Sequence, residues 1–234
     1  MTISDRLTDV RERIAAAARS AGRDPSSVRL VAVSKTFPAE QILDAYRAGQ
    51  RDFGENRVQE ALAKIDAIRI PDVRWHLLGH LQANKARRAA AAFAAIHSID
   101  SLDLLRKLDA AAAETGARPE LLIQVDLAGE VTKFGASPDA VPALLEAAAG
   151  LRAARVVGLM TLPPVPQEPE DARPWFQRLR TLRDGWLAGG MPPDTLRELS
   201  MGMSGDYEVA VQEGATIVRV GTAIFGSRVK TNPA

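Results

Sequence analysis

The sequence predicts an α/β fold: a single (β/α)8 TIM-type barrel with an extra N-terminal helix, residues 1–234 forming one domain. Three observations predict it. Short apolar runs of strand length recur eight times. Helical patterns fill the gaps between them, and such alternation makes strands parallel with crossover helices. The length, 234 residues, suits a barrel of this kind, which can be as short as about 200. A doubly wound open sheet is the competing arrangement. No GxGxxG follows the first strand, which weighs against the dinucleotide-binding version.

Taken in order, Ile3, Leu7, Val10, Ile14 and Ala18 recur at helical spacing, and Gly22 fits the helix end. The run 30–35, Leu-Val-Ala-Val-Ser-Lys, reads as a buried strand broken by Thr36-Phe37-Pro38. Further strands are predicted at 51–56, 74–79, 95–100, 121–127, 156–162, 198–203 and 217–225. Helices are predicted at about 40–48, 55–67, 83–92, 102–114, 138–149, 174–187 and 207–213. The Pro-rich stretch 163–174 follows the sixth strand. It reads as a mobile loop at the barrel mouth rather than a linker, because strand–helix alternation continues beyond it. Trp175, Phe176, Leu179, Leu182 and Trp186 follow helical spacing and are expected to face the core or a subunit contact.

Composition excludes several classes. Lys and Arg number 30 against 29 Asp and Glu, and no block of like charge points to nucleic acid or a membrane surface. The absence of cysteine excludes disulfides, thiolate metal sites and a thiol nucleophile, and suits the cytoplasm. Residues 1–7 carry both charges and lead into no apolar stretch, so no secretory signal is expected. No apolar run approaches membrane-spanning length.

In a barrel, working groups sit at the C-terminal ends of strands. The first such end offers Lys35. Burial there would favour the free amine that Schiff-base chemistry needs, although lysines at strand ends also simply snorkel to solvent. The last two ends offer Ser200-Met201-Gly202-Met203-Ser204-Gly205-Asp206 and Gly221-Thr222. These supply glycines, hydroxyls and an N-cap at Ser204, the materials of the phosphate sites that barrels often build from their last two loops. Arg219 shares a strand face with Ile217 and Gly221, so it is expected to point into the barrel. A buried guanidinium must be paired or bonded to a ligand, and Asp126 or Glu55 could pair it. A buried amine, a buried arginine and a phosphate cradle together suit a phosphorylated aldehyde with a ring nitrogen, of which pyridoxal 5′-phosphate (PLP) is an example. His76 and His80 are four apart, but Gly79 and the strand setting argue against a helical metal pair. His97 is expected to be a hydrogen-bonded core or mouth residue.

The sequence also resembles the pyridoxal-phosphate homeostasis family (YggS/PROSC type), related to the N-terminal barrel of alanine racemase. The matching stretches are 31–36 (VAVSKT), 53–60 (FGENRVQE), 75–85 (WHLLGHLQANK), 97–101 (HSIDS), 158–161 (GLMT), 199–204 (LSMGMS) and 218–226 (VRVGTAIFG). They span nearly the whole chain. The resemblance implies PLP held covalently on Lys35, with Ser200, Gly221 and Thr222 at the phosphate, Arg219 facing the pyridine nitrogen and Asn56 near the cofactor. His80 departs from the small residue expected at its place, and 126–130 replaces an Asn-containing version.

Three functions remain open. The first is a non-catalytic PLP carrier or regulator acting in vitamin B6 and amino-acid homeostasis. It would be a cytoplasmic monomer or weak dimer, with apo PLP-dependent enzymes as candidate acceptors and with no nucleic acid, membrane or metal partner. The second is an amino-acid racemase or another weak PLP enzyme. Racemization needs a base on each face of the substrate. In alanine racemase the second base is a Tyr from a C-terminal domain, and this sequence ends eight residues after Gly226, with its tyrosines, Tyr46 and Tyr207, in predicted helices. A cofactor-free barrel acting on sugar phosphates is a third class. Lys85 and Lys133 are expected to be solvated, with secondary PLP acceptance the alternative.

Overall fold

The computed structural model describes residues 1–129 and 134–226. Glu130 and Lys133 lie outside the described residues. Eight parallel strands close into a barrel in sequence order: β1 (Arg29–Val33), β2 (Asp52–Glu55), β3 (Arg74–Leu77), β4 (Ala95–Ile99), β5 (Glu120–Gln124), β6 (Arg155–Met160), β7 (Glu198–Ser200) and β8 (Ile217–Val220). The ring is sealed where β1 pairs with β8, from Arg29 opposite Ile217 to Ala32 opposite Val220.

The α-helices are α1 (Ile3–Ser20), α2 (Ala39–Arg47), α3 (Val58–Ile68), α4 (Ala86–Ala92), α5 (Leu102–Thr115), α6 (Val141–Ala148), α7 (Arg173–Ala188), α8 (Tyr207–Gln212) and α9 (Thr222–Phe225). Local chemistry sets their ends. Thr2 and Asp5 form a reciprocal capping box that starts α1. Ser101 caps α5, and Gly116, at φ +70°, ends it in the left-handed conformation that glycine adopts without strain. The extra helix α1 packs against α2, α8 and α9, and Arg6 Nε donates to the carbonyl of Ile224 at 2.6 Å.

Most apolar side chains form one core between the strands and the helical ring. A smaller cluster of Val31, Leu122, Val157, Met160 and Ile217 comes from the opposite strand faces and fills part of the barrel interior. Phe176 and Leu179 of α7 are buried, while Trp175, Leu182 and Trp186 pack at the core's edge.

Several boundaries differ from the sequence expectation. Strand 8 stops at Val220, because Gly221 turns the chain and residues 222–225 form one helical turn. Their apolar side chains extend the strand pattern without extending the strand. Strand 7 ends at Ser200 and strand 1 at Val33, so Lys35 lies in the turn beyond the strand. Residues 83–92 divide into a 3-10 turn, Ala83–Lys85, followed by α4. After β6, residues 163–168 carry neither helix nor strand, and the 3-10 turn Pro169–Ala172 leads into α7. Among the described residues no helix is long and apolar enough to cross a membrane.

Candidate cofactor site

A cleft of about 410 Å³ opens at the C-terminal end of the barrel. Lys35, Asn56, Arg219, Gly221 and Thr222 line it, together with Ser204 and Gly205, and Val33, Leu78, Leu162 and Met203 provide apolar walls. Lys35 is half-buried.

The turn that presents Lys35 is pinned on both sides. Ser34 Oγ donates to Glu55 Oε1 at 2.7 Å, and its carbonyl accepts from Lys64 Nζ at 2.8 Å. Thr36, at φ +68°, occupies a region that β-branched residues rarely adopt. Its N–H donates to Glu60 Oε1 at 2.6 Å, and Glu60 in turn pairs with Lys64 at 2.8 Å. Residues of α3 thus hold the chain immediately before and after Lys35. Burial pushes the Glu55 carboxyl above its ordinary range, while Lys64 and Ser34 hold it down.

Asn56 reaches the cleft just past the end of β2, where its backbone leaves no room for a side chain in the turn that follows β3. A Cβ on Gly79 would lie 2.2 Å from the Asn56 carbonyl oxygen.

Arg219 points inward, as its strand parity requires. Its Nη1 donates to Ser200 Oγ at 2.6 Å and its Nη2 to the carbonyl of Thr161 at 2.9 Å. Its hydrogen-bond partners are therefore neither Asp126 nor Glu55. Burial draws its pKa down to about 10, with the Asp206 carboxylate opposing.

Ser200 is wholly buried beneath the cleft and is not one of its lining residues. Its hydroxyl is engaged with Arg219 and His97. Ser204, four residues on, reaches the cleft instead, and its Oγ accepts from the N–H of Gly221 at 3.1 Å. Gly202, at φ +91°, makes the turn between the two serines.

The alanine racemase N-terminal domain family matches residues 6–229. A pyridoxal phosphate homeostasis protein of Pseudomonas aeruginosa is 43% identical over 234 residues, covering 100% of this chain and 99% of that protein. This chain belongs to the pyridoxal phosphate homeostasis family. A second family member, from Aquifex aeolicus, is 42% identical over 228 residues, covering 97% of this chain and 99% of its own. PipY of Synechococcus elongatus, solved with PLP bound, matches at a TM-score of 0.84 with 43% identity, covering 96% of this chain and 100% of that one.

His80 stacks on Phe134 with ring centroids 3.7 Å apart, and its Nδ1 lies 3.3 Å from Asp100 Oδ2. His76 instead turns into the barrel toward Asp52 and His97. The two histidines therefore share no site, and no cluster of metal-ligating side chains forms among the described residues.

Sequence reasoning missed Lys64 and Glu60, as well as the buried partners of Ser200. Lys64 carried a usable signal: a lysine on the apolar face of a predicted helix, four residues after a glutamate.

Proposed function

We propose that this chain binds PLP and acts in intracellular vitamin B6 and amino-acid homeostasis without robust catalysis of its own. The observation that carries this reading is the convergence of Lys35, Arg219, Ser204, Gly221 and Thr222 on one cleft. When bound, PLP supplies an aldehyde that condenses with a primary amine and a ring that withdraws electrons. The donor set fits such a group. Lys35 offers the amine for a covalent link. Arg219 offers N–H donors to a ring nitrogen. A guanidinium that keeps its proton to about pH 10 donates this hydrogen bond at neutral pH without giving the proton away. Ser204 and Thr222 offer hydroxyl donors to a phosphate, and the Gly221 N–H, which donates to Ser204 Oγ, fixes the Ser204 hydroxyl at that corner. A Cβ on Gly221 would crowd β1, lying 3.3 Å from the Val33 carbonyl oxygen.

The same cleft argues for storage and delivery over turnover. Lys35 and Arg219 are the titratable side chains lining it among the described residues. The Tyr46 hydroxyl bonds to Asp72, and Tyr207 is buried and outside the lining, so neither supplies a second base. We place the protein in the cytoplasm as one PLP-binding unit, monomer or weak dimer, handing the cofactor to apo PLP-dependent enzymes.

Borohydride reduction of the PLP-loaded protein followed by peptide mapping tests the site. One modified peptide containing Lys35 is expected; modification mainly at Lys85 or Lys133 overturns the assignment. Incubation with alanine or serine in D₂O tests the role, because α-proton exchange at enzymatic turnover rates would make the protein a racemase-like enzyme instead.

A further inference from the structure

A column of polar side chains runs through the barrel beneath the cleft. Arg219 Nη1 lies 2.6 Å from Ser200 Oγ, and that oxygen lies 2.9 Å from His97 Nδ1. His97 Nε2 is 3.0 Å from His76 Nδ1, and His76 Nε2 is 2.9 Å from Asp52 Oδ1. The half-exposed Arg74 completes the column, its Nη2 donating to Asp52 Oδ2 at 2.7 Å. Ser200, His97, His76, Asp52 and Arg219 are all buried. Asp52 and Arg74 begin their strands, so they lie at the opposite end of the barrel from Lys35, where they line a separate cleft. The chain of contacts therefore joins the two ends of the barrel.

Counting hydrogens fixes its direction. Arg219 can only donate, so Ser200 Oγ accepts from it, and the single hydroxyl hydrogen of Ser200 needs an acceptor of its own. His97 Nδ1 is the acceptor within reach among the described residues. That nitrogen must then be bare, which places the His97 hydrogen on Nε2, directed at His76 Nδ1. The His76 hydrogen falls on Nε2, directed at the Asp52 carboxylate. Both imidazoles are neutral in this arrangement. A protonated His76 would reverse the sense of every bond above it, aim two donors at Ser200 Oγ and strand a buried hydroxyl hydrogen. The burial of His97, which holds its imidazole well below the ordinary 6.5, accords with the neutral form.

We propose that His97, His76 and Asp52 are positioning residues for Arg219, acting through Ser200, so that substitutions at the far end of the barrel alter PLP bound at the near end. This rests on the reading of the cleft as a PLP site. Bonds that all run in one sense toward a carboxylate polarise one another. Ser200 Oγ becomes a stronger acceptor, the guanidinium is held by two of its N–H groups, and those remaining are left for the cleft.

The test has two arms. In the protein without PLP, nitrogen-15 NMR of the histidine rings should show Nε2–H tautomers for both His76 and His97; an Nδ1–H tautomer at either overturns the chain. In the PLP-loaded protein, Asp52→Asn and His97→Phe should shift the visible absorption of the bound cofactor and raise its Kd about fivefold, the equivalent of one hydrogen bond. Borohydride labelling should stay on Lys35. If His97→Phe does not fold, Asp52→Asn decides alone. Folded variants with unchanged absorption and Kd overturn the positioning role. A wild-type protein that takes no label at Lys35 removes the cofactor reading and this proposal with it, while the NMR arm still reports the chain itself.

Discussion

Lys64 and Glu55 form a buried ion pair, 2.7 Å between Nζ and Oε1, and both also bond Ser34, the residue before Lys35. A side chain on α3 and one on β2 therefore set the path of the turn that presents the amine.

Lys64→Met tests that arrangement. It leaves the Glu55 carboxylate buried without its cation and the Ser34 carbonyl without its donor. A loss of about 3 kcal/mol is expected in urea unfolding. Labelling of Lys35 should fall in parallel, because the turn loses its tie to α3. Adding Glu55→Gln should recover part of the stability by removing the stranded charge.

Ser204→Ala separates the proposed phosphate end of the cleft from the proposed ring end. A hydrogen bond to a charged phosphate accounts for about 1.5–3 kcal/mol, so the Kd for PLP should rise roughly tenfold or more in a spectroscopic titration. At saturation the absorption maximum should match wild type, since Arg219 is untouched.

The pH dependence of stability follows from His97. Burial, with further help from the charges of Arg219 and Arg29, holds its pKa well below 6.5 in the folded protein. Unfolded, it titrates near its ordinary value. Below about pH 6.5 the unfolded chain therefore binds a proton that the folded one refuses. Stability is fully present above that pH and falls as pH drops toward the folded pKa, by up to ~1.4 kcal/mol per pH unit. Urea midpoints measured between about pH 5 and 7 should show this slope, and His97→Phe should remove its share.

The barrel was legible because parallel strands covered on both sides read as continuous apolar runs. Lys35 stood out as a charged residue at the end of such a run, and Arg219 as one within it. Strand limits were less legible: Ile224 and Phe225 continue the apolar pattern past Gly221, although they belong to a helical turn that buries them in the core. That Ser204 rather than Ser200 lines the cleft depends on the turn at Gly202, where an added Cβ would meet Ala210 Cβ at 2.5 Å, and no local pattern encodes that contact. His76 and His97 are 21 positions apart, and His97 and Ser200 are 103 apart, so only barrel closure reveals them as partners.

The seam between β1 and β8 has a consequence for biogenesis. Strand β1 leaves the ribosome early, but its partner across the seam, and the Ile224 carbonyl that Arg6 grasps, are made nearly two hundred residues later. The nascent ring stays open with an unpaired edge for most of synthesis, and such long-range closure is slow and prone to association. Chaperone engagement during translation should be greatest before residue 217 emerges and should drop once the last strand can dock.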